Sequence, residues 1–188
     1  VPTNPWRGQM SIPRALSLRS TGSGFRLFQQ PSPIVRKGLE QIPGYKNIAL
    51  HNISLNDKAS RKIGNATSYW LEATFDTKEA ARLGVYIMED SVTDKKVVVG
   101  YDAGKQILFV DCSAVAGQYK THENLFQSAP LKAINGKVKI QVLFDRSSLE
   151  VFGNDGEKVI STMLYPSENE TGISVFSDGK SVLQQLFL

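Results

Sequence analysis

The sequence predicts an all-β domain, arranged as a sandwich or a barrel. Apolar and polar residues alternate with a period of two over several short stretches, which is typical of strands with one buried face. Turn motifs separate these stretches at short intervals, as they do in antiparallel sandwiches and barrels. The 188 residues are enough for one domain of this kind with a sizeable core.

The stretch "VKIQVLF" (residues 138–144) carries the clearest strand pattern. Four apolar side chains share one face of this strand: Val138, Ile140, Val142 and Phe144. Lys139 and Gln141 lie on the opposite face, so the pattern indicates a half-buried antiparallel strand. "ILFVD", "LEVF", "KVIST" and "GISVF" are further predicted strands, because they are rich in β-branched and aromatic residues.

The stretch "YWLEATF" (residues 69–75) places an aromatic residue on the polar face of a strand. Trp70 shares that face with Glu72 and Thr74. An exposed indole can stack on the apolar C–H face of a sugar ring, so Trp70 and Glu72 are the candidate carbohydrate-binding residues. The alternative is that a neighbouring strand, a loop or a partner domain covers this face.

Turn chemistry supports the division into strands. Residues 20–24 ("STGSG") and 153–157 ("GNDGE") are predicted hairpin turns, the second with the positive φ that Asp155-Gly156 provides. "DAGKQ" and "SDGK" are predicted turns before "ILFVD" and before the last strand. Residues 76–84 ("DTKEAARLG") carry a weak helical signal, which predicts one or two helical turns or a polar loop.

Composition excludes several classes of function. Positive and negative charges are interspersed, which argues against a nucleic-acid interface. Cys112 is the single cysteine, and no Cys/His spacing resembles a zinc site. No apolar run approaches the roughly 20 residues of a membrane helix. We therefore expect no metal, no cofactor, no nucleic acid and no membrane partner.

Two carboxylates, Asp145 and Glu150, flank the turn "DRSSLE". Such a pair could serve in glycoside hydrolysis. A turn aspartate that hydrogen-bonds its own backbone explains the pattern better. Cys112 is better explained as a small buried hydrophobe than as a nucleophile. No catalytic residue is predicted.

The N-terminal stretch differs from the rest of the chain. Residues 1–14 are rich in proline and loop-like, whereas the alternation begins after them. This predicts a connecting segment over residues 1–14 and one β domain over residues 15–188. Trp6, beside Arg7, is expected to act as a structural plug for irregular backbone.

Two motifs carry a family resemblance: "NPWRGQMSIPRALSL" near the N-terminus and "VKIQVLFDRSSLEVFGNDGEKVISTMLYP" near the C-terminus. The chain resembles the C-terminal β-sandwich of glycoside hydrolase family 32, which comprises invertases, inulinases and levanases. The resemblance implies a two-sheet antiparallel sandwich of the jelly-roll, concanavalin-like type. It also implies that Trp6, Arg7 and Arg14 form a seam with the domain that precedes them.

The catalytic residues of this family belong to a β-propeller whose motifs are missing here, so none is carried over to this chain. The resemblance implies a non-catalytic domain that stabilises the propeller, its expected partner, in an extracellular or periplasmic enzyme. Contact with fructan or with a second copy of the chain is a further expectation. The alternatives are a free-standing, lectin-like carbohydrate-binding module and an enzyme that uses Asp145 and Glu150.

Overall fold

The computed structural model describes residues 10–22, 24–41, 48–56, 60–77, 79–118 and 124–188. Trp6 and Arg7 of the predicted seam lie outside these residues. The helices and strands, in chain order, are β1 (Arg14–Thr21), β2 (Gly24–Pro31), α1 (Pro33–Glu40), β3 (Ala49–Leu55), β4 (Arg61–Asn65), β5 (Ser68–Asp76), β6 (Arg82–Glu89), β7 (Val97–Asp102), β8 (Ile107–Asp111), a 3₁₀ helix (Ser113–Gln118), β9 (Phe126–Pro130), β10 (Lys137–Asp145), β11 (Ser148–Gly153), β12 (Lys158–Met163), β13 (Gly172–Ser177) and β14 (Ser181–Phe187).

Two antiparallel sheets of six strands each form a sandwich. One has the order β12-β11-β10-β5-β14-β3 and is called the Trp70 sheet below. The other has the order β4-β13-β6-β7-β8-β9 and is called the Tyr86 sheet. Strands β1 and β2 form a separate two-stranded ribbon. The predicted all-β sandwich is therefore confirmed, and the barrel alternative is wrong.

The period-two alternation places side chains in the core as predicted. Val138 and Val142 of β10 are fully buried and lie opposite Phe75 and Leu71 of β5. These residues belong to one apolar cluster that also contains Val85 and other residues of the Tyr86 sheet. The two sheets therefore bury a single core between their facing sides.

The turn after β11 contacts the ribbon as well as joining two strands. Asn154, Asp155 and Gly156 all have positive φ, as the predicted Asp155-Gly156 hairpin requires. A side chain at position 156 would collide with the backbone, since a Cβ there would lie 2.0 Å from the carbonyl oxygen of Gln29. The Gln29 N–H donates to the Gly156 carbonyl at 2.9 Å, so this turn holds β2.

No helix forms among the described residues of the segment 76–84, which omit residue 78. Strand β5 ends at Asp76 and β6 begins at Arg82, so the loop alternative describes the connection. The helix that does form, α1, begins at Pro33 and was not predicted. The Ser32 carbonyl accepts from the backbone N–H groups of Val35 and Arg36, and Pro33 supplies a helical φ in the first turn.

Strand β1 begins at Arg14, next to the predicted boundary between residues 14 and 15. The division of the chain at that boundary stays a prediction. In the described part of the chain, no helix has both the length and the apolar character that a membrane crossing demands.

Candidate functional site

The outer face of the Trp70 sheet carries a second, smaller apolar cluster. It consists of Trp70, Leu143 and Phe152, whose side chains are nearly or completely buried. Ile12 and Val35 pack against this cluster. The segment before β1 and helix α1 therefore form a third layer over part of the sheet.

Hydrogen bonds and ion pairs of Glu72 attach this layer to the sheet. The Trp70 indole N–H and the Arg36 guanidinium both donate to Oε1 of Glu72, each at 2.9 Å. Lys139 Nζ lies 2.9 Å from Oε2 and also binds Asp155 at 2.8 Å. Burial raises the pKa of Glu72, but the hydrogen bonds and charges of Lys139, Trp70 and Arg36 outweigh it and hold the pKa below its ordinary value.

This geometry bears on the predicted carbohydrate contact. Trp70 is only 6% exposed, and its indole N–H is already bonded to Glu72. Of the two alternatives for this face, the structure shows the covered one, because Ile12 and, from helix α1, Val35 pack over Trp70. Sugar binding by Trp70 and Glu72 stays a prediction, and it requires this cover to move.

Arg14, the third residue of the predicted seam, begins strand β1 of the ribbon and contacts the Trp70 sheet; its part in a seam stays a prediction. Its guanidinium binds the carboxylate of Glu150 and also donates to Ser161 Oγ at 2.6 Å and to Gln29 Oε1 at 3.1 Å. The guanidinium carbon also lies 5.7 Å from the ring centre of Phe152. Arg14 thus joins the start of the ribbon to strands β11 and β12.

Asp145 and Glu150 do not form a shared acid–base pair in this structure. Glu150 is 2% exposed and binds Arg14 and Ser161. Asp145 accepts a hydrogen bond from Ser68 Oγ at 2.9 Å and stands opposite Ser148 in the register. Each carboxylate is engaged by different partners, so the arrangement favours a structural role for both.

Cys112 lies in the main core, as a small hydrophobe would. Burial, followed by the nearby charge of Asp111, raises the pKa of its thiol to about 11, which disfavours the reactive thiolate at neutral pH. Among the residues that the structure describes, no cluster of three or more His, Cys, Asp or Glu side chains could hold a metal ion.

The ribbon presents an apolar face to solvent. Leu18 and Leu27 are directly opposite each other in the register, with Leu16 and Phe25 on the same face. Leu18 is 67% exposed and Phe25 is 75% exposed. Four large apolar side chains side by side on a solvent-exposed ribbon indicate a contact surface.

A groove of about 270 Å³ lies on the outer face of the Tyr86 sheet, and sequence analysis did not predict it. Tyr86, Phe109 and Phe176 contribute aromatic rings to it, and Arg82 and Asp178 contribute charged groups. The three aromatic residues lie on β6, β8 and β13 and are brought together by the register of the sheet. Alternation within one strand could not have revealed the groove.

Comparison with known proteins gives consistent matches along the chain. A sequence model of the family described as "Glycosyl hydrolases family 32 C terminal" matches residues 39–186. A levanase of Bacillus subtilis is 37% identical over 94% of this chain and 26% of its own length. An extracellular exo-inulinase of Aspergillus awamori is 27% identical over 95% of this chain and 33% of its own length.

A solved structure agrees with the sequence matches. The crystal structure of exo-inulinase from Aspergillus awamori superimposes with a TM-score of 0.81 and covers 100% of this chain but 37% of that one. The chain therefore spans about a quarter to a third of the relatives that it matches. From the family match and the shared fold, the chain belongs to glycosyl hydrolase family 32 and is a C-terminal domain of that family.

Proposed function

We propose that this chain is the non-catalytic C-terminal sandwich of a larger, secreted fructan-hydrolysing enzyme and that it stabilises the catalytic domain of that enzyme. Family membership supports the placement, and so do relatives named levanase and extracellular exo-inulinase. Those relatives are several times longer than the region they share with this chain. The catalytic β-propeller of the parent enzyme is the partner.

The exposed apolar face of the ribbon is the observation that carries this proposal. A two-stranded ribbon is marginally stable by itself, so β1 and β2 need a surface to pack against. The sandwich supports one side, where Phe28 is buried and the Gly156 turn holds Gln29. The other side, with Leu16, Leu18 and Phe25, faces solvent. Covering it gains about 25 cal/mol for each Å² of apolar surface.

Three carboxylates, those of Glu150, Asp102 and Glu72, support a non-catalytic role. Glu150 is bound by Arg14, and Asp102 by Arg82. Burial raises the pKa of Asp102, but the Lys105 backbone N–H and Arg82 outweigh it and hold the pKa below its usual value. The pKa of Glu72 is also held low. A general acid in glycoside hydrolysis requires a raised pKa. The pKa values of Asp102 and Glu72 are lowered, which does not suit either residue to that role.

A domain graft tests the proposal. The matching C-terminal region of the Bacillus subtilis levanase is replaced by this chain, and thermal inactivation of levan hydrolysis is compared with that of the levanase lacking the region. We expect the graft to restore stability, and the isolated chain to release no fructose from sucrose, inulin or levan. Fructose release by the purified chain would overturn the non-catalytic assignment.

A pair of variants identifies the contact surface within the graft. Leu18→Ser removes an apolar side chain from the ribbon, whose full burial is worth about 2 kcal/mol. We expect it to lower the temperature of half-inactivation by about 3 °C. The matched control is Val92→Ser. The Val92 side chain is 85% exposed in the turn between β6 and β7 of the Tyr86 sheet, whereas the ribbon contacts β12 of the Trp70 sheet. Equal effects of the two variants would exclude the ribbon as the contact.

A further inference from the structure

Two pairs of aromatic rings stack on the outer face of the Tyr86 sheet, and three of these rings, Tyr86, Phe176 and Phe109, line the groove. Tyr86 and Phe176 stack face to face, with ring centres 4.3 Å apart and planes 6° apart. Phe109 and Phe126 stack 5.6 Å apart at 18°. The two pairs flank the glycine pair Gly84–Gly100, which the register places side by side on β6 and β7. A shallow depression with flat walls results.

The missing side chain at position 100 sets the shape of the groove. A Cβ on Gly100 would lie 2.7 Å from the ring of Phe109, so this ring can lie across the backbone of β7 only because residue 100 is glycine. On the opposite strand, Phe109 pairs directly with Gly100 in the register. The aromatic wall is therefore held in position by the sheet.

Charged groups of both signs line the groove. Asp178 uses Oδ1 to accept the Arg82 backbone N–H at 2.6 Å, and Asp111 uses Oδ1 to accept the Ser113 N–H at 2.9 Å. Among the described residues, no hydrogen-bond donor contacts the Oδ2 atom of either carboxylate. The Arg82 Nε binds Asp102 at 3.2 Å, which leaves its terminal N–H groups able to donate. Acceptors and donors thus surround the partly exposed ring of Tyr86, which has Lys96 Nζ 4.8 Å from its centre. Phe109 and Phe176 are only 2% and 7% exposed and support this ring from below.

We infer that this groove binds one sugar unit of a fructan chain. Sugar rings present apolar C–H groups that pack on aromatic rings, and hydroxyl groups that both donate to carboxylates and accept from guanidinium groups. Mixed charges and an aromatic wall suit a neutral, hydroxylated ligand better than an anion or a cation. The fructan class rests on the proposed function, whereas the presence of a sugar site rests on the groove alone.

Titration of the isolated 188-residue chain with levan and inulin oligosaccharides tests the inference, with cello-oligosaccharides of equal length as the comparison ligand. Binding is followed by calorimetry and by NMR chemical shifts. We expect fructan oligomers to bind at millimolar concentration. Tyr86→Ala should weaken binding about fivefold, since a stacked aromatic surface is lost. Asp178→Asn should weaken it about threefold, because a charged acceptor becomes neutral.

Two controls keep the test decisive. Phe187→Ala removes a partly exposed aromatic ring from β14 of the Trp70 sheet and should leave the affinity unchanged. Circular dichroism of each variant checks folding. If Tyr86→Ala does not fold, Asp178→Asn still tests the groove, because its amide oxygen can accept the Arg82 backbone N–H in place of the carboxylate. Absence of fructan binding, or unchanged affinity in a folded Tyr86→Ala or Asp178→Asn variant, overturns the inference.

The outcomes of this titration are separable from those of the domain graft. A chain that stabilises the levanase graft without binding fructan leaves the proposed function intact and removes the sugar site. Groove variants that lower the thermal stability of the graft without weakening sugar binding would show that the groove contacts the catalytic domain. That result would also contradict the inference. Binding of cello-oligosaccharides as tightly as of fructan would remove the fructan assignment.

Discussion

The two outer faces of the sandwich carry aromatic residues at equivalent points of the alternation but differ in what covers them. Trp70 lies under helix α1 and the segment before β1, and its indole N–H is bonded to Glu72. Tyr86 stacks on Phe176 beside an open groove and stays partly exposed. The same strand pattern thus produced a secondary core on one side and a candidate binding surface on the other.

The difference shows what period-two alternation leaves undetermined. It specifies which residues share a face, and the register then sets their neighbours. Whether a third layer covers the face depends on another part of the chain. For Trp70 that part is Ile12 and helix α1, more than 30 positions from the middle of β5. The identity of an outer-face aromatic residue therefore does not indicate its function.

The largest expected effect on stability comes from substituting Trp70, and substituting Tyr86 gives the comparison. Trp70→Ala should lower the free energy of unfolding by about 4 kcal/mol, because it leaves a cavity between Phe152 and α1. Tyr86→Ala should lower it by about 1 kcal/mol, the order of a single aromatic stacking contact. Urea unfolding followed by circular dichroism measures both values. Similar losses for the two variants would show that the faces are equally covered, against the structure.

The next effect concerns the attachment of the ribbon to the Trp70 sheet by Arg14. Arg14→Ala leaves the buried Glu150 carboxylate without its cation, which should destabilise the chain by about 3 kcal/mol. Arg61→Ala on β4 removes an exposed arginine and should change stability by less than about 0.5 kcal/mol. Urea unfolding of the two variants under the same conditions makes the comparison.

A double variant separates loss of packing from loss of charge at this position. Arg14→Met combined with Glu150→Leu removes both charges and should recover most of the loss, since neither partner is left buried and unpaired. A double variant as unstable as Arg14→Ala would mean that the ion pair is not the cause of the destabilisation.

The smallest effect is a pH dependence at Glu72. The folded state holds the pKa of Glu72 below its ordinary value, so the ionised carboxylate stabilises the fold. This contribution is fully present above the pKa of the unfolded chain, near 4.3, and is lost as the pH falls through the lower folded value. Glu72→Gln should therefore be about 1 kcal/mol less stable than the parent chain at pH 7 and closer to it at pH 3.

Urea unfolding at the two pH values gives this difference, and Glu168→Gln, on an exposed turn, is the control. A Glu72→Gln deficit that is equal at pH 7 and pH 3 would contradict the ion-pair account. The same loss of charge releases Arg36, so α1 should become more accessible to protease at low pH.

Much of the sandwich was predictable because its strands depend on local signals. The β10 alternation and the Asp155-Gly156 turn are readable within a few residues, and both occur where predicted. Helix α1 also has a local signal, because Ser32 followed by Pro33 is typical of a helix N-terminus. Its eight residues are too few for a clear helical period.

The sites were much less predictable than the strands, for a physical reason. The groove joins Tyr86, Phe109 and Phe176 from three strands, and only the sheet register places them together. The ion pair between Arg14 and Glu150 likewise joins two residues that are far apart in sequence. Trp70 was recognised as an outer-face residue, but its cover lies in a segment whose position only tertiary structure defines.

Side-chain footprinting measures the difference between the two faces most directly. The folded chain is exposed briefly to hydroxyl radicals, and the modification rate of each aromatic residue is determined by mass spectrometry relative to the unfolded chain. We predict strong protection of Trp70 and Phe152, together with ready modification of Tyr86 and Phe126. Modification of Trp70 at a rate similar to that of Tyr86 would contradict the account, because it would mean that the covering layer is not formed in solution.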